Sequence, residues 1–436
     1  MHAMDLSRLE QLGNNAIAQD DLLAACTAYK KLAIAKPNNE NILNTTAYVL
    51  SRTNQNQEAI HYYKAALQKN PSLHTAHLGM AKAELATGNF KDGWYNFEWR
   101  LGNREAYQQA FGYLKLKPRD VKGKRVLIRA EWGLGDMVQF MRYAKLLKQE
   151  GAYVILQAFD PLIKLFSRCD FLDKIIGVSD PIPPTDAQIP LLSLPLLFNT
   201  TLKTSLRLST SSDLATLRKS SGLKANSGVY PEQGEWDRQA IPAQIPYIFA
   251  DPHLIQQWKK ELTHDSNFRV GLCWHAKPIY IEDHMFTRRS IPLEAFIPLA
   301  LPHISFYSLQ KEFGVDETQR IASSSLKVHT FNDDFDVTHG RFMDTAAVIM
   351  NLDLVISADT SIVHVAGALG KQVWVLLPYA AEWRWLPSHP DYAQSSHTPW
   401  YPNNMRLFKQ KEPGNWSTVI AEVKQALIEL LKEKKA

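Results

Sequence analysis

A chain of 436 residues with 45% apolar and 21% charged residues has room for two or three globular domains of about 100–200 residues each. Its net charge of +5 is small, and its one basic cluster, Lys432–Lys435, reads as a solvated helix end, which argues against a nucleic-acid partner. Cys26, Cys169 and Cys273 lie far apart and form no CxxC pair, which argues against a disulfide framework or a zinc site and fits a reducing compartment. The N-terminus, MHAMDLSRLEQ, has no apolar core of a secretory signal, and no run approaches the ~20 apolar residues that span a bilayer. The expectation is a soluble, cytoplasmic chain with no transmembrane segment; contact with a membrane surface stays open.

The first hundred residues repeat at an offset of 34. Pro37 and Pro71 are one period apart, as are Tyr29, Tyr63 and Phe97. Small residues recur at Gly13, Ala47 and Ala81, and again at Ala25, Ala59 and Gly93. Two small positions let paired helices approach, the aromatic fills the gap beside them, and the proline follows the second helix. This spacing predicts three tetratricopeptide repeats, about 6–39, 40–73 and 74–105, within a first domain of residues 1–105. The third has Arg100 where alanine is usual and no closing proline, so it reads as the cap that meets the next domain. A protein or peptide partner is expected on the concave face, where Asn15, Asn44, Tyr48 and His77 are candidates; a spacer or dimerisation module is the plainer alternative.

Residues 120–245 read as a first α/β domain. VLIRAE is a strand, and Gly133, Gly135 and Asp136 form the turn after it. Met137, Phe140, Met141, Ala144 and Leu147 then make the apolar stripe of one helix, which Gly151 ends before the strand YVILQA. This is a βαβ unit whose glycines let a ligand approach the backbone, although it is not GxGxxG. Asp136 starts the helix at the carboxyl end of the sheet. It is either a helix-start carboxylate favoured by the dipole or a general base facing a cleft. A helix, PLIKLFSRC, a short strand, KIIGV, and IPLLSLPLLFNTT follow. Residues 203–242 are rich in Ser, Thr, Lys and Gly and read as a long insertion.

Residues 246–436 read as a second α/β domain. Asp251-Pro252 starts a helix, FRVGLCWHA is a strand running into a loop, and Lys277, Arg288, Arg289 and Ser290 lie in the polar stretch beyond it. IPLEAFIPLAL is expected as a helix, ISFYS and KVHTF as strands, and Asp344-Thr345 as the cap of DTAAVIMNL. The organising stretch is LDLVISADTSIVHVAGALGKQVWVLL: a buried strand, a turn at Asp359-Thr360-Ser361, a short helix ended by Gly370, and a second buried strand. A strand running into a helix N-terminus aims free N–H groups at one point, which suits a phosphate or diphosphate. His275, ending a buried strand, is costly unless paired, and so is a site candidate. His364 reads equally as a buried core histidine, and Trp383 and Trp385 more readily as packing than as stacking platforms. The closing helix, WSTVIAEVKQALIELLKE, is expected to pack back across the two domains.

In order, GLGDMVQFMRYAKLL, IPLLSLPL, IPYI, VGLCWHAKP, RRSIPLEAF, FYSLQ, DTAAVI, DLVISADTSIVHVAGALGKQVWVLLP, EWRWL, PWYP and MRLFKQ resemble bacterial tetratricopeptide-repeat glycosyltransferases. They are similar to family 9, heptosyltransferase-like enzymes and, more distantly, to protein O-GlcNAc transferases. The resemblance implies helical repeats followed by a GT-B pair of Rossmann-like domains, with the nucleotide-sugar donor in the C-terminal one and the acceptor near the N-terminal one. It implies no metal, no cofactor beyond the nucleotide-sugar substrate, and inversion at the sugar carbon. Matched by motif, Asp136 is the candidate base. Asp359, Thr360, Ser361, His364 and Gly367 belong to the diphosphate turn and its helix, and Lys277, Arg288 or Arg289 would neutralise the leaving group. Gly133, Gly135, Gln139, His275, Trp383, Arg384 and Trp385 belong to the cleft. The chain departs from the family's pattern at Trp132, commonly glutamine, and at Ala276 and Lys277, commonly Gly and Asn. The alternatives are an interaction scaffold with a degenerate, nucleotide-binding transferase half, and an epimerase acting on the sugar nucleotide itself.

Overall fold

In the computed structural model, residues 3–102, 117–204, 240–277, 279–281, 284–286, 289–311 and 316–435 are described. Each 34-residue unit folds as a helical hairpin: α1 (Ala3–Ala18) with α2 (Leu22–Ala35), α3 (Glu40–Arg52) with α4 (Asn56–Lys69), and α5 (His74–Ala86) with α6 (Phe90–Phe97). The repeated small residues are buried where helices cross. At Gly13 a Cβ would stand 2.8 Å from the Tyr29 ring, and at Gly93 2.8 Å from Leu85. Tyr29, Tyr63 and Phe97 are buried at the equivalent points.

The first sheet contains β1 (Arg125–Arg129), β2 (Tyr153–Ala158), β3 (Lys174–Gly177) and β4 (Ala187–Pro190), all parallel, in the order β3-β2-β1-β4. The helix expected after β1 is two, α7 (Leu134–Phe140) and α8 (Arg142–Gln149), parted at Met141. The apolar stripe from Met137 to Leu147 continues through the break and is fully buried. Then come α9 (Asp160–Phe166) and the one-turn α10 (Leu194–Leu197). Most of the expected 203–242 insertion lies outside the described residues; its flanks pair as β5 (Thr201–Thr204) and β6 (Ala240–Ile241).

In the second domain Asp251 caps α11 (Pro252–Glu261), accepting from the N–H groups of His253 and Leu254. The second sheet contains β7 (Phe268–Cys273), β10 (Ile304–Ser308), β11 (Val328–His329), β12 (Leu354–Ala358), β13 (Val373–Leu377) and β14 (Met405–Lys409). All neighbours are parallel, in the order β11-β10-β7-β12-β13-β14. A small hairpin, β8 (Ile279–Ile281) with β9 (His284–Phe286), stands on the loop after β7. The remaining helices are α12 (Glu317–Arg320), α13 (Met343–Asn351), α14 (Ser361–Ala368) and α15 (Trp416–Lys435).

Three expectations need correction here. IPLEAFIPLAL is a 3-10 segment, Leu293–Leu299, because Pro298 lacks the N–H that an α-helix needs. Asp344 does not cap α13. Phe342, at φ +63°, stands at that boundary, Asp336 accepts from the Thr345 N–H, and Asp344 instead accepts from the Trp258 indole. The closing helix α15 does not bridge the domains; Val419, Ile420, Val423, Ala426 and Leu427 join the core on one face of the second sheet. What joins the domains is a different core, which runs from Leu85, Trp94 and Phe97 through the first sheet to Trp383, Trp400 and the other face of the second.

Candidate active site

Counting strands within each domain, the first sheet runs 3-2-1-4 and the second 3-2-1-4-5-6. Open α/β sheets with this order place their chemistry outside the carboxyl ends of strands 1 and 4, where neighbouring crossovers leave in opposite directions. Asp136 follows strand 1 of the first domain, and Asp359-Thr360-Ser361 follows strand 4 of the second.

In the first domain Trp132 takes the left-handed bend, at φ +56°, and Gly133 precedes α7 in extended backbone. The Gly133 N–H donates to Asp136 Oδ2 at 3.2 Å, which holds the carboxylate at the mouth of the turn. The helical repeats reach the same end of this sheet. Arg100 stands there, its Nη2 donating to Glu131 Oε2 after β1 at 2.9 Å and to Ser193 Oγ after β4 at 2.8 Å, while Nη1 meets Glu98 at 2.7 Å. Burial opposes the Arg100 charge, but Glu98 and Glu131 outweigh it and hold the guanidinium above its ordinary value. The residue that departs from the repeat consensus is therefore the plug of the first switch point.

In the second domain Thr360, extended at φ −134°, caps α14, its Oγ1 accepting from the Ile362 N–H at 3.2 Å. Thr360 also accepts from the Val363 N–H through its carbonyl at 3.3 Å, so at this helix start only the Ser361 N–H and hydroxyl have no partner among the described residues. Arg289 reaches the same turn, donating to the Asp359 carbonyl at 3.3 Å. The Asp359 carboxylate turns inward. It is buried, accepts from the Trp385 indole at 3.0 Å, and has its pKa pushed up by burial against the pull of Arg289 and Arg384. Its role is to anchor Trp385, and only its backbone faces the turn. Gly370, at φ +85°, ends the helix as expected.

The two turns touch. A Cβ on Gly135 would lie 3.1 Å from His364 Cδ2 and 3.4 Å from Ser361 Cα, so the glycine serves the approach of α14 rather than of a ligand. Gly367 is likewise a packing position, since a Cβ there would meet Tyr401 at 2.9 Å. His364 is buried, stacks on Trp385 with ring centres 5.8 Å apart and shares a hydrogen bond with the Tyr401 hydroxyl at 3.1 Å. Burial, then the neighbouring Arg384, Arg142 and Arg289, pushes His364 well below its ordinary 6.5 and keeps it neutral. Arg384 crosses the joint and donates to Asp136 Oδ1 at 2.5 Å. Burial works against its charge, but Asp136, Glu382 and Asp359 outweigh that and hold it protonated.

Other expected residues are placed as follows. Lys277 is exposed and follows Ala276, whose N–H donates to the Oγ of Ser290, the residue after Arg289. Arg288 lies outside the described residues. His275 turns away to Glu317, Nε2 to Oε1 at 2.7 Å, so its pairing is structural. Gln139 is fully buried, and neither polar atom of its side chain has a partner among the described residues. Trp383 is a packing residue among Trp94, Phe97, Phe140 and Trp400. On the repeats, His77 is used internally: it stacks on Trp99 at 3.8 Å and bonds the Pro71 carbonyl, while Asn44 donates to Thr75. Sequence reasoning missed Glu382, held below its ordinary value despite burial by Arg384, Lys82, Arg289 and Arg52. It also missed Lys82, whose ammonium sits 5.7 Å over the Trp132 ring. The one available signal was that Glu382 directly precedes the WRW element. Cavities of about 930 and 900 Å³ open elsewhere on the second domain, and neither is lined by Asp136 or Ser361.

No family model matches the chain. It is 24% identical to Protein FlbA of Caulobacter vibrioides over 349 residues, 79% of this chain and 53% of that protein. The chain thus spans about half the length of the curated relative it matches. Among solved structures it is similar to a glycosyl transferase family 9 protein from Veillonella parvula, at 13% identity and a TM-score of 0.44, over 72% of this chain and 98% of that one. It is also similar to ADP-heptose lps heptosyltransferase II from E. coli, at 14% identity and a TM-score of 0.44, over 72% and 100%. Among the described residues, no helix is long and apolar enough to cross a membrane.

Proposed function

We propose that the chain transfers a sugar from a nucleotide-activated donor to an acceptor hydroxyl, with inversion at the sugar carbon and without a metal. The observation that carries this reading is the meeting of the turn that bears the Asp136 carboxylate with the start of α14, where the Ser361 N–H has no partner among the described residues, with Arg384 bonded to Asp136 and Arg289 to the Asp359 carbonyl. In this reading Asp136 takes the proton of the acceptor hydroxyl. The acceptor oxygen bonds to the anomeric carbon from the first-domain side. The bond from that carbon to the diphosphate breaks, and its electron pair leaves on the diphosphate oxygen. The Ser361 N–H, Arg289 and Arg384 stabilise the departing charge, and the exposed Lys277 is a further candidate cation. The helical repeats present a protein or peptide acceptor, or recruit a partner. Three free, buried cysteines accord with a cytoplasmic setting.

A second reading, a nucleotide-binding scaffold without turnover, draws on the same ion pair, which occupies an oxygen of the intended base. Thermal stability against UDP-, GDP-, ADP- and CMP-sugars separates them. A ligand at ~100 times its dissociation constant adds about 2.7 kcal/mol to the native state. One clear hit, followed by product from an acceptor screen, supports transfer. A hit with no product from any acceptor supports the scaffold, and conversion of donor without acceptor supports an epimerase. No shift with millimolar ligand removes the nucleotide site.

A further inference from the structure

Arg384 stands where the two turns meet. Its Nη2 donates to Asp136 Oδ1 at 2.5 Å, and its side chain is 8% exposed. Its Nε is buried and has no hydrogen-bond partner among the described residues. The backbone that carries it is fixed to the anion turn, because the next residue, Trp385, is held by the Asp359 carboxylate. The base is fixed to that turn from the other side, because Gly135 packs against Ser361. The guanidinium that holds the Asp136 carboxylate is thus carried by backbone tied to the Asp359–Ser361 turn, and of its five N–H donors the Nε–H is unused among the described residues.

We propose that Asp136 and the donor diphosphate compete for Arg384, so that donor binding uncovers the base. The inference rests on the transferase reading of Asp136. A diphosphate carries more charge than a carboxylate and attracts the guanidinium more strongly at the same distance. As Arg384 turns to the diphosphate, Asp136 Oδ1 is released to accept the acceptor's proton. The acceptor is then activated only beside a loaded donor, which guards the site against unproductive deprotonation. Coupling of this kind is reciprocal: whatever weakens the hold of Asp136 on Arg384 strengthens diphosphate binding.

The test is isothermal titration of the full chain with UDP, GDP, ADP and CDP, using wild type, Asp136→Asn, Arg384→Met and the double variant. Asp136→Asn keeps the bond to Gly133 and removes the charge. It is expected to bind its nucleotide roughly tenfold tighter than wild type while losing turnover, within the ~5–150-fold range of such couplings. Arg384→Met is expected to bind more weakly, and Asp136→Asn should add nothing in that background. Arg384→Lys, which keeps the charge, should recover part of the affinity and raise the donor KM more than it lowers kcat. If Asp136→Asn binds no tighter than wild type, the competition is overturned and the transferase reading stands. A gain of the same size in the Arg384→Met background would assign the effect to direct repulsion between Asp136 and the diphosphate, and would also overturn it. If no nucleotide binds wild type or any variant, the transferase reading itself falls. Arg384→Gln serves where Arg384→Met does not fold.

Discussion

The first four strands of the two domains share one order, and each domain places an aspartate after a strand at its switch point, yet the two aspartates do opposite things. Asp136 lies at the surface of its turn, bonded to Gly133 and Arg384. Asp359 is buried and spends its charge on an indole N–H. The crevices differ as well. The first is plugged by Arg100 from the helical repeats; the second keeps Arg289 and Ser361 at its mouth. A doubled fold therefore need not double its chemistry. One turn presents a carboxylate, and its counterpart presents a backbone N–H with no partner among the described residues.

Exchanging a residue at each turn is the sharpest way to break that asymmetry. Asp136→Asn should lower turnover by about 10²–10⁴-fold, the range for removing a general base, in a chain that still folds but loses some stability because Arg384 loses its ion-pair partner. A rate within a few-fold of wild type, measured by product formation, would remove Asp136 from the chemistry. Next in size is the plug. Arg100→Met leaves Glu98 and Glu131 buried without their cation, and about 3–5 kcal/mol of stability should be lost in urea denaturation. A loss below 1 kcal/mol would mean that the repeats are not seated as described.

The joint itself is tested by Gly135→Val. Its branched side chain must enter the space of His364 and Ser361, so about 1–3 kcal/mol should be lost and kcat should fall as the turns part. Full activity with native stability would show that the two helices do not need to touch. His364 supplies a pH test. Its folded-state pKa lies well below 6.5 because burial and three guanidinium groups disfavour its charge, so below about pH 6.5 the unfolded chain binds a proton that the folded chain does not. Stability is then full above that pH and falls on acidification, with a slope approaching ~1.4 kcal/mol per pH unit. His364→Gln should flatten this part of the curve between pH 7.5 and 5.5; parallel curves for the two proteins would refute the assignment. The smallest effect belongs to Lys82→Ala, which loses a cation over the exposed Trp132 ring and should cost about 0.5–1 kcal/mol at most.

Local order was legible because it repeats or alternates. The 34-residue period, the small residues at helix crossings and the strand-turn-helix units report burial of one face, which nearby residues decide among themselves. The stop at Gly370 and the abnormal third repeat at Arg100 were readable for the same reason. Glycine was misleading at Gly135 and Gly367: a missing side chain signals a close approach without saying what approaches, and here it is a helix and a tyrosine. His275 and Asp359 show the same limit, since a polar residue at a strand end must be paired, and only packing shows that the partners are Glu317 and Trp385.

By itself, then, the sequence determined the helical repeats, the two α/β units and the turns that carry Asp136 and Ser361, because hydrogen bonding and periodic burial are settled within a few tens of residues. Tertiary structure decided which charges meet. Arg384 reaches Asp136 across 248 residues of chain, and Arg100 reaches Ser193 across 93. Such pairs depend on how finished domains dock, and a linear pattern carries no record of that geometry.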